Sequence, residues 1–165
     1  RIYKWNGSSW VSKGNPIYGS ITLEFVGQSV SLSPDGNILA FGSTRSINEI
    51  GLLTGSVRIY KWNGSSWISI GNPIYGNIIN ALTGQSVNIS PDGNTVAFGS
   101  TGDKNENGTV VGSVSMYKWT GSVWIHKTTI YGDDENKPTG NGVSLTDGGN
   151  ILASSGQDGN VKRVL

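Results

Sequence analysis

The sequence predicts an all-β chain of the β-propeller class, with four-stranded antiparallel blades of about 57 residues in an incomplete ring. Three observations predict it. The first is internal repetition: Arg1 to Trp10 reads RIYKWNGSSW, Arg58 to Trp67 reads the same ten residues, and Ser115 to Trp124 reads SMYKWTGSVW. A second block, GQSVSLSPDGNILAFGS from Gly27, returns as GQSVNISPDGNTVAFGS from Gly84 and more loosely as NGVSLTDGGNILASSG from Asn141. The third copy is one residue short, just before Ile130. The second observation is composition: 25 Gly, with six Trp and six Tyr at regular intervals, is the make-up of many short strands joined by tight turns. The third is that turn signals cut each repeat into four strand-sized pieces, while no stretch sustains the 3.6-residue period of a helix.

The strands follow in order. Gln85 to Ser90 alternates and is rich in β-formers. Ser90-Pro91-Asp92-Gly93-Asn94 then supplies a fixed φ from Pro, a side-chain cap from Asp and a positive φ from Gly, which together make a hairpin turn. Thr95 to Gly99 is the second strand, Ser113 to Trp119 the third and Trp124 to Lys127 the fourth, with Thr120-Gly121-Ser122 joining the last two. The chain is therefore read as one propeller fragment over residues 1–165. Residues 1–14 supply two outer strands, 27–70 and 84–127 are whole blades, and 141–165 supplies inner strands. The unit exceeds the roughly 40 to 45 residues of WD40 repeats and is nearer the kelch value of about 50. Rings close with about four to eight blades, so further blades are expected from a longer chain or from a second copy. The longer chain is favoured, because Val161 to Leu165 restarts a third strand already represented by Arg1 to Trp5.

LSPDGNILAFGS followed by GSVRIYKW resembles the SPDG-bearing, WD40-like propeller repeats, and the order F-G-S then G-S-V is similar to the FG-GAP repeats of integrin-α-type propellers. The resemblance covers almost the whole chain and implies a blade, not a particular activity. The acidic calcium loop of integrin-type blades would fall at the SPDGN turn, which lacks its run of carboxylates. Repeat-rich chains heavy in Asn, Ile and Gly also resemble ones encoded by large DNA viruses and marine microbes, which implies a virion or cell-surface, extracellular component.

Twelve Lys plus Arg stand against 11 Asp plus Glu, so no long-range field draws in nucleic acid or an anionic membrane. The absence of Cys excludes disulfides, thiolate metal sites and cysteine nucleophiles. No apolar stretch approaches the roughly 18 residues of a membrane span.

In a meander the first and third turns share one rim, and the second turn and the blade-to-blade link share the other. The first rim carries near-constant turns, SPDGN and NGSS. The second carries segments that differ: 44–54 against 101–111, and 20–26 against 77–83 and 133–139. Variable loops on a rigid frame are where recognition resides. The expected ligand face is Glu24, Phe25, Arg45, Asn48 and Glu49 in one sector, Asn80, Lys104 and Glu106 in the next, and Asp133, Asp134 and Glu135 in the third, with a protein or glycan as partner. The bland alternative is drift in unconstrained loops.

Asp103, Asn105 and Asn107, ahead of Gly108, match the opening D-x-N-x-N-G of a calcium loop and are the candidate metal ligands, against the alternative of a polar turn. The Trp pairs 5/10, 62/67 and 119/124 suit either a lectin-like carbohydrate platform or packing between blades, and their fixed positions favour packing. No catalytic residue is assigned and the expected answer is a non-enzyme: His126 is the only histidine, its counterparts are Ser12 and Ser69, and Asp35 and Asp92 are explained by their turns. A part of a propeller glycoside hydrolase is the remaining alternative, and its paired carboxylates would have to come from other blades. Asn6, Asn63, Asn88 and Asn107 head formal glycosylation sequons, most of them hairpin turns.

Overall fold

The computed structural model describes residues 1–19, 24–156 and 161–164, with backbone alone for Asp147 and for 161–164. Part of the first linking segment (20–23), together with 157–160 and Leu165, lies outside the described residues. The chain is all-β, as expected. Its strands are β1 (Tyr3–Trp5), β2 (Trp10–Ser12), β3 (Val26–Leu32), β4 (Ile38–Ser43), β5 (Ser56–Trp62), β6 (Trp67–Ser69), β7 (Ile74–Tyr75), β8 (Thr83–Ile89), β9 (Thr95–Ser100), β10 (Ser113–Trp119), β11 (Trp124–Tyr131), β12 (Thr139–Leu145), β13 (Leu152–Gly156) and β14 (Val161–Val164). They form antiparallel sheets in chain order: β1-β2, then β3-β4-β5-β6 with β7 also on β5, then β8-β9-β10-β11, then β12-β13-β14. This is an arc of a β-propeller.

Two details depart from the expected elements. The fourth strand of the second blade does not stop at Lys127 but runs to Tyr131. In the first blade, Tyr60 pairs Ser69 and Val57 pairs Ile74, so the segment between β6 and β7 leaves the sheet. In the second, one residue fewer reduces this excursion to a single bulge opposite Met116 and Tyr117, and the strand stays continuous. The deletion before Ile130 thus converts a broken strand into an unbroken one. No α-helix occurs among the described residues, although the third copy of the first turn, Asp147–Gly149, winds into a short 3₁₀ turn.

Each SPDGN turn is held by its own side chains. Ser33 Oγ donates to Asp35 Oδ1 at 2.5 Å and accepts from the Ile38 amide at 2.9 Å, while the Asn37 amide donates to the same Asp35 oxygen at 3.0 Å. Ser90, Asp92, Asn94 and Thr95 repeat the arrangement.

Neighbouring blades pack through backbone. A Cβ on Gly42 would lie 1.9 Å from the Gly84 carbonyl oxygen of the next blade, and one on Gly99 would lie 1.8 Å from that of Gly140. Beside each glycine a serine hydroxyl donates to the same carbonyl: Ser29 to Gly84 and Ser86 to Gly140, both at 2.8 Å. The F-G-S and G-Q-S motifs are therefore interface chemistry. The first strands are innermost and tied together, with Ser31 Oγ accepting from the Ile89 amide at 3.1 Å and Asn88 Oδ1 from the Leu145 amide at 2.8 Å. Apolar cores fill the two interfaces. Ala40, Val57, Ile59, Val87, Ile89, Val96 and Phe98 make the first, and Ala97, Val114, Leu145 and Leu152 the second.

Candidate recognition rim

Antiparallel strand order puts the β4–β5 and β9–β10 connections on one rim with the blade-to-blade links. The two long connections share a backbone despite their unlike sequences. Asn48 Oδ1 accepts from the amides of Ile50 (3.2 Å) and Leu52 (2.9 Å), and Asn105 Oδ1 accepts from those of Asn107 (3.1 Å) and Thr109 (3.0 Å). Bridges Ile47–Leu53 and Lys104–Val110 close each into a small hairpin. The links match as well, with Phe25 and Leu82 both at φ 56° and the Gln28 and Gln85 amides donating to their carbonyls at 3.2 Å. What differs is the side chains on this common skeleton.

Phe25 and Arg45 come together. The Arg45 guanidinium sits 5.4 Å from the centre of the Phe25 ring, which is 47% exposed, a cation–π contact in solvent. One blade on, the same positions hold Leu82 and Gly102. Glu49 is exposed on the first hairpin tip and Lys104 and Glu106 on the second. Ile50, 78% exposed beside Glu49, belongs to this surface and was not singled out in the sequence, because nothing there distinguishes it from a core isoleucine. Asn80 is exposed at φ 60°, its amide donating to the Leu53 carbonyl at 2.7 Å. Asp133 and Glu135 are exposed in the third sector, where Asp134 Oδ1 caps a turn by accepting from the Asn136 amide at 2.9 Å.

Glu24 is a correction. It is only 2% exposed and forms an ion pair with the part-buried Arg58 while accepting from Ser46 Oγ at 2.6 Å, so it braces the rim and is not on its surface. Asn48 likewise spends its side-chain oxygen on the hairpin.

The calcium candidates serve the same hairpin. Asp103 is buried, accepting from Ser113 Oγ at 2.7 Å and from the Lys104 amide at 3.0 Å, and Asn105 is the cap described above. Asn107 is exposed. The hairpin role accounts for this loop in both blades, since Ser46 holds the position of Asp103 without a carboxylate. Among the described residues no group of three or more His, Cys, Asp or Glu is placed so that it could hold a metal ion together.

The second and third Trp pairs are packed between blades. Trp67 Nε1 donates to the Lys13 carbonyl at 2.8 Å and Trp124 Nε1 to the Ile70 carbonyl at 2.9 Å, while Gly14 and Gly71 lie against the rings. Lys13 Nζ stands 5.3 Å from the Trp62 ring centre. His126 lies on the outer strand β11, away from this rim, edge-on to Tyr117 at 5.2 Å and 2.9 Å from Thr129 Oγ1.

No protein-family model matches the chain, and no curated protein sequence does. Among solved structures it is similar to the periplasmic gluconolactonase PpgL of Pseudomonas aeruginosa, with a TM-score of 0.53 and 14% identity. The match covers 93% of this chain and 42% of that one, so the chain spans less than half the length of that protein. At this identity the likeness shows the β-propeller fold.

Proposed function

We propose that the chain is a non-catalytic propeller scaffold that binds a protein or glycan through one rim, with the exposed Phe25–Arg45 pair as the anchor and Glu49, Ile50, Lys104 and Glu106 around it. One observation carries this reading: the β4–β5 and β9–β10 hairpins keep the same backbone caps while their exposed side chains are replaced. A skeleton held constant under changing side chains is the arrangement of a display surface. Aromatic residues and arginine are both enriched where partners bind. The repeats are read as SPDG-type, WD40-like blades with an FG-GAP-like order, in a surface or virion component.

The test is capture from the native source on immobilised wild-type chain and on the F25A/R45A/E49A variant, followed by identification of what the two retain. A partner kept by the wild type and lost by the variant, with unchanged melting temperature, supports the reading. Equal retention overturns it. A glycan array separates a sugar from a protein partner. Turnover of lactones or glycosides by the isolated chain, abolished by substitutions on this arc, would replace the scaffold with an enzyme.

A further inference from the structure

The face of the first blade that looks toward β1 and β2 is only half covered. Val30 and Leu32 are 66% and 47% exposed, whereas their counterparts 57 residues on, Val87 and Ile89, are 7% and 4% exposed. Leu39 and Phe41 on the same face stay buried. A cavity of about 400 Å³ opens there, lined by Ile2, Ile17, Val30, Leu32, Leu39 and Phe41 among others.

The occupied interface beyond it shows what is missing. Val87 and Ile89 belong to a core with Ala40, Ile59 and Ile74, and Ile38 packs against it. Ile2 and Ile17 hold the positions of Ile59 and Ile74, so the third- and fourth-strand side of the cover is present. The side supplied by a second strand, the part that Ile38, Ala40 and Gly42 play, is not. The backbone agrees: β5 pairs with β4 on one edge and β6 on the other, whereas β1 pairs only with β2 among the described residues. An open strand edge and an uncovered apolar face thus meet at one slot.

The other end of the arc carries the opposite signal. At both internal interfaces the registered pair facing the next blade is Ser–Gly, Ser29 with Gly42 and Ser86 with Gly99. In the β12-β13-β14 sheet it is reversed to Gly142 with Ser155. A side chain at that position would stand less than 2 Å from the incoming carbonyl in the geometry used twice by this chain. The reversal also removes the first-strand serine that donates to that carbonyl.

We propose that the slot over Val30 and Leu32 receives the inner strand pair of a preceding repeat of the same polypeptide, with glycine in the place of Gly42 and Gly99, and that Ser155 bars the inner strand pair of a second copy of this chain from it. Residues 84–114 are the segment that precedes the equivalent of Arg1 in the repeat. Fusing them directly ahead of Arg1 supplies both strands and their connection in register. The fusion melts at least about 5 °C higher than the chain itself, and Val30 becomes inaccessible to a cysteine-directed label in the V30C form of each. The same fusion with its Gly99→Ser change loses this gain. Sedimentation of the unfused chain supplies the last arm, with no association that V30D reverses. A fusion without thermal gain, an equal gain with the serine, or self-association abolished by V30D overturns the proposal.

Discussion

The buried Glu24 and the part-buried Arg58 form an ion pair in the first blade that the second blade replaces by another route. Glu24 also accepts from Ser46 Oγ, which in turn accepts from Ser56 Oγ at 2.8 Å. The equivalents of Glu24, Ser46 and Arg58 are Ala81, Asp103 and Ser115, and there Asp103 takes the hydroxyl of Ser113 directly. One carboxylate is thus needed behind each hairpin, and the link or the hairpin itself can provide it.

E24A alone leaves the part-buried Arg58 without its carboxylate and costs about 2 kcal/mol. The triple variant E24A/S46D/R58S transplants the arrangement of the second blade and recovers all but about 1 kcal/mol of the loss. Urea denaturation of the single and triple variants checks this, and a triple variant no more stable than E24A would show the two arrangements are not interchangeable.

Trp67 and Trp124 bond to the preceding blade through their indole nitrogens, whereas Trp10 is 68% exposed. W67F and W124F each leave an interface carbonyl without its donor and cost about 1 to 2 kcal/mol. W10F, at an exposed ring, stays within about 0.5 kcal/mol of wild type. Equal effects at all three positions would remove the interface explanation for the repeated tryptophans.

How much of this was legible in the sequence depends on whether the determining contact is local. The SPDGN turns were legible, because Ser33, Asp35 and Asn37 satisfy one another within five residues. The rim assignment was legible too, since strand alternation fixes it. Glu24 was misread because its partner Arg58 is 34 residues away, and a charged residue in a variable link looks exposed until that contact is known. Asp103 and Asn105 carried the residue types of a metal loop, yet the same oxygens cap a hairpin, and only the backbone distinguishes the two uses. The shared skeleton of 46–53 and 103–110 was hidden because a single Asn at matching positions holds it while the rest of the sequence changes.

Ser43 and Ser100 occupy the same place in successive blades but not the same environment. Ser100 Oγ lies 3.0 Å from Thr83 Oγ1 across the strand pair, while Ser43 faces Val26 and its buried hydroxyl has no hydrogen-bond partner among the described residues. Val26→Thr is close to isosteric and supplies the missing group, so it stabilises the chain by about 1 kcal/mol. Thermal melts of V26T and of V26T/S43A check the source: the gain disappears in the double variant. A gain that survives S43A would trace to strand propensity instead.

Acid sensitivity follows from the two SPDGN turns. The Ser33 hydroxyl, and after it the Asn37 amide, hold the Asp35 carboxyl below its ordinary value of 3.8; Ser90 and then Asn94 do the same for Asp92. A carboxyl whose folded value lies below its unfolded one contributes stability that is present above pH 3.8 and lost as pH falls through the folded value. The D35N/D92N variant lacks this contribution. It is therefore less stable than wild type at neutral pH, and the difference shrinks as the buffer is taken below pH 3.8, where protonation makes the wild-type turns equally neutral. Melting temperatures of both proteins from neutral to strongly acidic buffer test the sign, and a gap that stayed constant or widened on acidification would show that these carboxylates do not set the acid limit of the fold.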